Sequence, residues 1–545
     1  MFLKKTYSKN YTYLSLAETY REDGAVKHRI IAQLGRLDAL QQDDQLHRLA
    51  KSFQRLCENK ERKFSLDSLD ELDRVNWGAE KVYRSLWNKF EFKKLFEDIF
   101  KDRKNTFSIS ETVFLEVLSR LISPCSKLKL HATQKDYFVV DSSRLEHLYR
   151  VLDFIADKKD AIELAIFNKN KTLFNCSVDI VFYDVTTLYF ESVKPNSLMD
   201  FGYSKDCKFG EVQVVLGLLI DTDGRPVGFD VFKGNTFEAK TLSEALQKLK
   251  TRFHVRDVII VADRGINSKI NLKIIKDNGF NYIVGSRLKS KSKDVKLKVL
   301  DKDNYKVLFR DKDRTTLSYS FAYKNAVKYQ DADGKWHQEI LDEKLHCTWD
   351  SSRSNKDKKD RNRLIEKAKT IISSGGDGSS KRGAKKYIKY SKNKNPLALN
   401  EAKIIDDEKW DGFYGIQTSK YDMSTDEVLA AYKTLWKIEE SFRVLKSNIE
   451  ARPMFHWSEK RIRGHLIICF IAFLLHRTLE LILIEAQCEY RPNKIREALN
   501  KMELSIVKIE EQEMYLCSRL DGLSMDILRA LKLPAPKRLS IPAEF

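Results

Sequence analysis

Hydrophobic and polar positions follow two different periods along this 545-residue chain, and the changes of period divide it. Near the start the period is two. YTYLSLAETYR and KHRIIAQLG flank EDGA, with Asp23-Gly24 as the turn, which predicts a β-hairpin over 5–35. Helical spacing follows at 38–58, 79–102 and 141–170. Ser108 or Ser110 caps another helix through SRLIS, with Glu111 in its first turn. From 176 the pattern is strand 178–190, strand EVQVVLGLLID, turn TDGR and strand PVGFDVFKG. A helix at 238–252, strand 257–262, a helix near 267–278 and strand 280–286 complete it. Residues 287–404 alternate again, with a basic helical piece and a loop marked by Gly375, Gly376 and Gly378. The pattern then gives a strand at 410–419, helices at 425–447 and 458–485, and a helical tail. Pro534 and Pro536 break the tail's last helix, and its end is expected to be loose.

The order from 176 is β-β-β-α-β-α-β, that of an RNase H-like sheet. The expected fold is therefore α/β: an RNase H-like mixed sheet interrupted by a mainly β insertion subdomain, with an N-terminal hairpin plus helical region. The expected organisation is a hairpin and helix at 1–75 and a helical region, a candidate for DNA binding, at 76–170. The RNase H-like core opens at 171–286, a β-rich basic insertion covers 287–404, the core resumes at 405–485, and the helical tail is 486–545. Fold order says nothing firm about activity.

Charge changes the picture. Lys and Arg number 98 against 78 Asp and Glu, a net +20, which favours a polyanionic partner such as nucleic acid, the plainer alternative being a merely soluble basic protein. Eight scattered cysteines show no zinc spacing, fitting reduced, buried thiols and a cytoplasmic setting. The N-terminus lacks a signal-peptide core. The longest apolar run, Leu466 to Leu475, is too short to span a bilayer and reads as a core helix, so no membrane partner is expected.

Three acids carry the candidate chemistry. Asp184 sits at the end of an apolar strand, sharing its face with Val178, Ile180 and Phe182. Asp263 follows the continuous run Val258 to Ala262, a buried central strand whose C-terminal end is where open α/β sheets place ligands. Each has a plainer alternative, a turn for Asp184 and a helix cap for Asp263. Glu439 lies on a helix where Tyr432, Glu439 and Lys446, spaced by seven, share one stripe. Its plainer alternative is an ion pair with Arg443, and neighbouring Glu440 reads as a solvated residue. Together the trio is a hard, all-oxygen set suited to Mg²⁺ or Mn²⁺, two ions being the arrangement that serves phosphodiester displacement.

At these residues the chain resembles the DDE transposases of the IS4 superfamily, most closely the IS1634-like branch. The matching pieces are YDVTTLYFE around Asp184, GYSKD at 202–206, VVLGLLID, ADRG around Asp263, and LGRLD at 34–38. Tyr432, Glu439 and Lys446 fit the family's late-helix signature. Its arginine place holds Leu435, so that phosphate contact is either lost or supplied by a neighbour such as Lys433 or Arg443. The resemblance implies a metal-dependent enzyme that cuts at the terminal inverted repeats of its own insertion sequence and joins the freed 3′-hydroxyl to target DNA. It implies action as a synaptic homodimer, in some relatives through a hairpin intermediate aided by an insertion tryptophan; Trp336 and Trp349 are the ones here.

Tyr432, Lys446, Arg443, Lys433, Arg264, Lys385 and Lys386 are the expected DNA contacts. The wider basic path runs through Lys289, Lys291 and Lys293, then Arg353, Lys356, Lys358, Lys359, Arg361 and Arg363, then Lys381, Arg382 and Lys389 with Tyr387 and Tyr390 interleaved. Two other readings compete: an RNase H-like host nuclease without strand transfer, and a transposase-derived repressor, for which an intact acidic trio would be superfluous.

Overall fold

The computed structural model describes residues 1–545 other than 9, 23–24, 43–44, 59–68, 105, 139–141, 175–178, 205–206, 237, 254–257, 332, 376–379, 381, 393–394, 489 and 510–511. Val178, Gly376, Gly378, Lys381 and the Asp23-Gly24 turn therefore lie outside the described residues. The chain forms two compact units, Met1–Leu72 with Val507–Met514, and Asp73–Ile506 with Tyr515–Phe545.

The first unit carries an antiparallel sheet of Phe2–Ser8, Tyr11–Glu22 and Ala25–Arg36, so the expected hairpin gains a third strand from the first eight residues. Leu14 pairs with Gly35 and Ser15 with Gln33, a bulge that Gly35 accommodates at φ 119°. Helices Leu37–Gln42 and Gln45–Glu58 follow.

The second unit begins with helices packed around one long apolar helix, Glu459–Glu485. Ser108 caps Ile109–Ile122 by accepting from the Glu111 N–H at 3.3 Å. The long helix crosses Leu145–Asp157 so closely that a Cβ on Gly464 would lie 2.2 Å from the Leu152 carbonyl oxygen. It is long and apolar enough to cross a membrane, yet 83% of its most apolar window is buried inside the fold, where Leu466 to Leu475 form the centre of the core.

Beside this bundle runs a nine-stranded mixed sheet. Its order is Lys306–Arg310, Thr315–Gln330, Trp336–Asp350, Phe413–Thr418, Asn281–Gly285, Ile259–Ala262, Ile180–Tyr189, Gln213–Ile220 and Pro226–Lys233. The strands and helices from 180 to 285 follow the β-β-β-α-β-α-β order read from the sequence. The strand carrying Asp184 is antiparallel to Gln213–Ile220 and parallel to Ile259–Ala262, which is in turn parallel to Asn281–Gly285.

Two expectations are corrected here. Three strands of the supposed separate insertion extend this sheet, because Trp336–Asp350 pairs directly with Phe413–Thr418 from Lys344↔Thr418 to Trp349↔Phe413. Alternation shows that a segment is a strand but not which neighbour it joins. Nor is the chain's end a loose helical tail. Helices Pro492–Asn500 and Gly522–Ala530 enclose strands Glu503–Ile509 and Gln512–Cys517, and Leu539–Ser540 pairs with the latter. Phe545 packs edge-on against Trp77, Phe138 and Tyr515. Of the described cysteines, Cys347, Cys469 and Cys517 are buried, but Cys207 is exposed.

Candidate active site

Asp184 lies in the middle of its strand, not at its end. Pairing with Gln213–Ile220 continues from Phe182↔Ile220 to Tyr189↔Gln213, whereas the parallel neighbour stops at Ala262. The parallel register runs Ile180↔Ile259, Val181↔Ile260 and Phe182↔Val261. Two residues further it brings Asp184 level with Asp263, on strands spaced about 4.8 Å apart. Both share strand parity with residues packed on one side of the sheet: Phe182 and Leu188 for Asp184, Ile259 and Val261 for Asp263. Val181, Tyr183, Val185, Ile260 and Ala262 serve the opposite side.

Each aspartate is partly committed to its backbone. Asp184 Oδ1 accepts from the Val185 N–H at 2.7 Å. Asp263 Oδ1 accepts from the Gly265 N–H at 2.6 Å and the Ile266 N–H at 3.4 Å, so the turn role that competed with catalysis is real. It uses one oxygen; Asp263 Oδ2 has no partner among the described residues, and the residue is exposed.

Glu439 comes from the same side of the sheet. Its helix, Trp436–Arg443, packs on the Asp184 strand through a core that includes Ile438 and Phe442. The Glu439 side chain itself is exposed and forms no ion pair among the described residues. Arg443, its expected partner, pairs instead with Glu440 at 3.3 Å. Glu440 is no solvated residue: Arg477, on the long core helix and 7% exposed, approaches its other oxygen at 3.4 Å. The trio is thus only partly assembled. Two carboxylates are level by strand register and the third lies on the helix packed on the Asp184 strand, but among the described residues no three such groups close into a metal cluster. The oxygen-only donor set and the open Asp263 oxygen fit a hard divalent cation.

The expected single helix 425–447 is in three pieces. Thr425–Lys433 carries a capping box from Ser424 and Glu427, and Trp436–Arg443 is followed by a π turn, Val444–Asn448, that holds Lys446. Between the first two, Leu435, Lys437 and Ile438 bond back three residues, a tighter winding that adds about 20° per residue. The seven-residue stripe of Tyr432, Glu439 and Lys446 is therefore not straight. Tyr432 instead points at the sheet. Its hydroxyl accepts from the Tyr414 hydroxyl at 2.8 Å and fills the space where Gly285 would carry a Cβ. Burial raises its pKa, helped by the Tyr414 bond and by nearby Asp263.

Other basic residues divide by burial. Lys433, Arg264, Lys293, Lys356, Lys358, Lys359, Arg363 and Arg382 are exposed, while Lys385 and Lys446 are half-buried. Lys386 and Lys289 both donate to Asp407 at 2.8 Å; burial pushes that carboxyl up, but these two bonds outweigh it and hold it low. Arg361 is buried and paired with Asp411 and Glu408. Lys291 is half-buried and donates to Gln417 at 2.9 Å. Lys386, Lys289 and Arg361 are thus paired with carboxylates of the protein, although Lys289 remains exposed, and Lys291 is bonded to an amide. Of the two insertion tryptophans, Trp349 donates to the Asp411 carbonyl at 3.1 Å, and Trp336 is exposed near the hairpin tip.

No curated protein matches the chain. Among solved structures, a Mos1 transposase paired-end complex with left transposon end is 11% identical over 33% of this chain, with a TM-score of 0.15. A Mos1 mariner paired-end complex with Mn is 13% identical over 37%, also at 0.15. The chain spans 60% of the first Mos1 chain, and scores this low carry no argument. The family profiles are a different matter. The IS1634 family transposase N-terminal domain matches residues 3–84, and the transposase DDE domain matches residues 179–475, more than half of the sequence. The segment 179–475 holds Asp184, Asp263 and Glu439 alike, and the chain belongs to the DDE transposases of the IS1634 branch.

Proposed function

We propose that this transposase cuts DNA at the terminal inverted repeats of its insertion sequence and joins the freed 3′-hydroxyl to target DNA, with Asp184, Asp263 and Glu439 as its catalytic acids. The observation that carries the reading is the parallel register up to Phe182↔Val261, which continued by two residues sets Asp184 level with Asp263, with the helix of Glu439 packed on the Asp184 strand. Two Mg²⁺ or Mn²⁺ ions bound there would supply Lewis-acid stabilisation of the attacking and leaving oxygens. The chain's own contribution is placement. The Gly265 and Ile266 N–H groups fix Asp263 with one oxygen toward the backbone, and the long core helix holds the Glu439 helix through Arg477.

Tyr432, Lys433, Arg264, Lys446, Arg443, Lys385 and the exposed lysines of the basic helix Ser351–Ser373 are the proposed contacts to double-stranded DNA. The working form is a homodimer holding two ends, acting in the cytoplasm on the nucleoid.

The test is a labelled repeat-end duplex incubated with purified protein and Mg²⁺. Cutting and joining are expected. Cutting without joining indicates a nuclease, and binding alone a repressor. Glu439→Gln is expected to lower cutting by at least ~10²-fold while leaving duplex affinity within about twofold. Normal cutting by that variant removes Glu439 from the site.

A further inference from the structure

Beside Asp263 lies a cleft of about 510 Å³, and its cations fall into two groups. Lys289, Lys386 and Arg361 are neutralised by the cleft's own carboxylates, Asp407 and Asp411. Arg264 and Arg287 are not, and Arg353 has only a long ion pair. Arg264 and Arg287 form no ion pair among the described residues, and Arg353 comes no nearer than 3.7 Å to Asp357.

These three nevertheless converge from separate elements. Arg264 follows Asp263 directly. Arg287 follows the strand Asn281–Gly285, and its Nη2 donates to the Arg264 carbonyl at 3.1 Å. Arg353 stands in the first turn of Ser351–Ser373, where its N–H is capped by Asp350. The guanidinium carbons of Arg264 and Arg353 lie 5.4 and 4.6 Å from the centre of the same ring, that of Tyr414. Tyr414 is itself held by Tyr432.

A guanidinium stays charged at any working pH, and a ring attracts it without cancelling the charge. Three such groups share one carboxylate, Asp357 at 3.7 Å from Arg353, so the cluster keeps a net positive charge that an anion would offset. Their N–H forks match the oxygens of a phosphate, and the cleft adjoins the carboxylates proposed to cut a phosphodiester.

We infer that Arg264 and Arg353, gathered on the Tyr414 ring, and Arg287, bonded to the Arg264 carbonyl, form a phosphate subsite that grips a backbone phosphate next to the scissile one. The inference rests on the reading of Asp184 and Asp263 as catalytic, and it gives the sheet's hairpin extension a task. That hairpin carries Ser351–Ser373, and so brings Arg353 to the active site.

The test is a salt titration of full-length protein on a labelled random-sequence duplex, since phosphate contacts carry no sequence information. Arg287→Ala and Arg353→Ala are each expected to weaken binding about 3- to 10-fold at low salt and to lower the slope of log Kd against log salt by about one. Arg353→Lys is expected to keep the slope. On a repeat-end duplex, a neutral methylphosphonate at the phosphate neighbouring the cut is expected to weaken binding by wild type but not further by Arg287→Ala. An unchanged slope in Arg287→Ala and Arg353→Ala, or additive losses at every methylphosphonate position, overturns the subsite. Arg287 makes one hydrogen bond at the surface, so Arg287→Ala decides the matter even if Arg353→Ala melts early. Wild type that binds but fails to cut a repeat end overturns the catalytic reading instead, a result these binding variants cannot mimic.

Discussion

Asp263 divides its labour between two oxygens. Oδ1 receives the Gly265 and Ile266 N–H groups and shapes the loop; Oδ2 is left for a ligand. Substitution separates the two tasks. Asp263→Asn keeps an oxygen for the loop, so it is expected to melt at or above wild type while cutting falls below detection. Asp263→Ala loses the loop bonds too, at a cost of about 1 kcal/mol, and is expected to melt lower. Equal melting of the two variants, measured by calorimetry, would show that the loop bonds contribute nothing. A second residue-scale expectation concerns His456 and His465, which sit together, ring centres 5.2 Å apart, against Arg120, Lys127, Arg461 and Tyr149. The nearby carboxylate, Glu116, is already paired with Lys127 at 2.6 Å. Burial, then these cations, lower His456 to about 3 and push His465 well below its usual value. The fold therefore binds fewer protons than the unfolded chain between pH 3 and 6.5. Stability is complete above that window and lost as pH falls through it. The melting temperature is expected to drop from pH 7 to pH 5, and His456→Gln to flatten the drop; an identical pH profile for the variant would remove His456 as its cause.

At the scale of elements, the setting of the Glu439 helix depends on anchors behind it. Glu440 is clamped by Arg477, which also meets Glu480 at 3.0 Å, and Lys437 donates to the Thr222 carbonyl at 2.6 Å. Arg477→Met is expected to lower the cutting rate about 10-fold or more with a much smaller loss of duplex affinity, since of the proposed DNA contacts only Arg443 shares Glu440 with it. Glu440→Gln is expected to do the same more mildly. A rate change matched by an equal affinity change would mean the clamp only holds the fold together. None of this was legible in the chain. Glu440 beside Glu439 looks like any exposed helical acid, since its partner lies 37 residues away on a helix that reads as purely apolar. The breaks near 434 and 444 were hidden for a related reason: continuous apolar spacing from 425 to 449 reports a buried face, not its winding. What was legible followed from local pattern. Asp184 and Asp263 stood out because uninterrupted strands ended in, or contained, a carboxylate. Pairing partners did not stand out, so the strands of 306–350 were assigned to a body of their own. ELSIVKI and EMYLC, strands within 503–509 and 512–517, carried an alternation that the helical reading of the tail passed over.

For the whole molecule, the +20 charge misleads when every cation is counted as a DNA contact. Internal pairing uses up some of it, and what remains available is the exposed lysines of Ser351–Ser373 and the arginines beside Asp263, of which Arg264 and Arg287 form no ion pair among the described residues. The acids face the opposite situation. The parallel register of their strands, continued two residues past Phe182↔Val261, sets Asp184 and Asp263 level, and a divalent cation between two such carboxylates would favour the folded chain. Folding and metal binding are then linked: at 100 times its Kd, a divalent ion adds about 2.7 kcal/mol per site. The melting temperature is expected to rise by a few degrees with Mg²⁺ and further with Mn²⁺, the stronger binder of mixed oxygen sites. Asp263→Asn removes a ligand. In chelator it is expected to match or exceed wild type, and on adding Mg²⁺ it is expected to stay where it is. A variant that still climbs with Mg²⁺ as wild type does would place the stabilising ion elsewhere in the chain, and the paired aspartates would lose their claim to hold it.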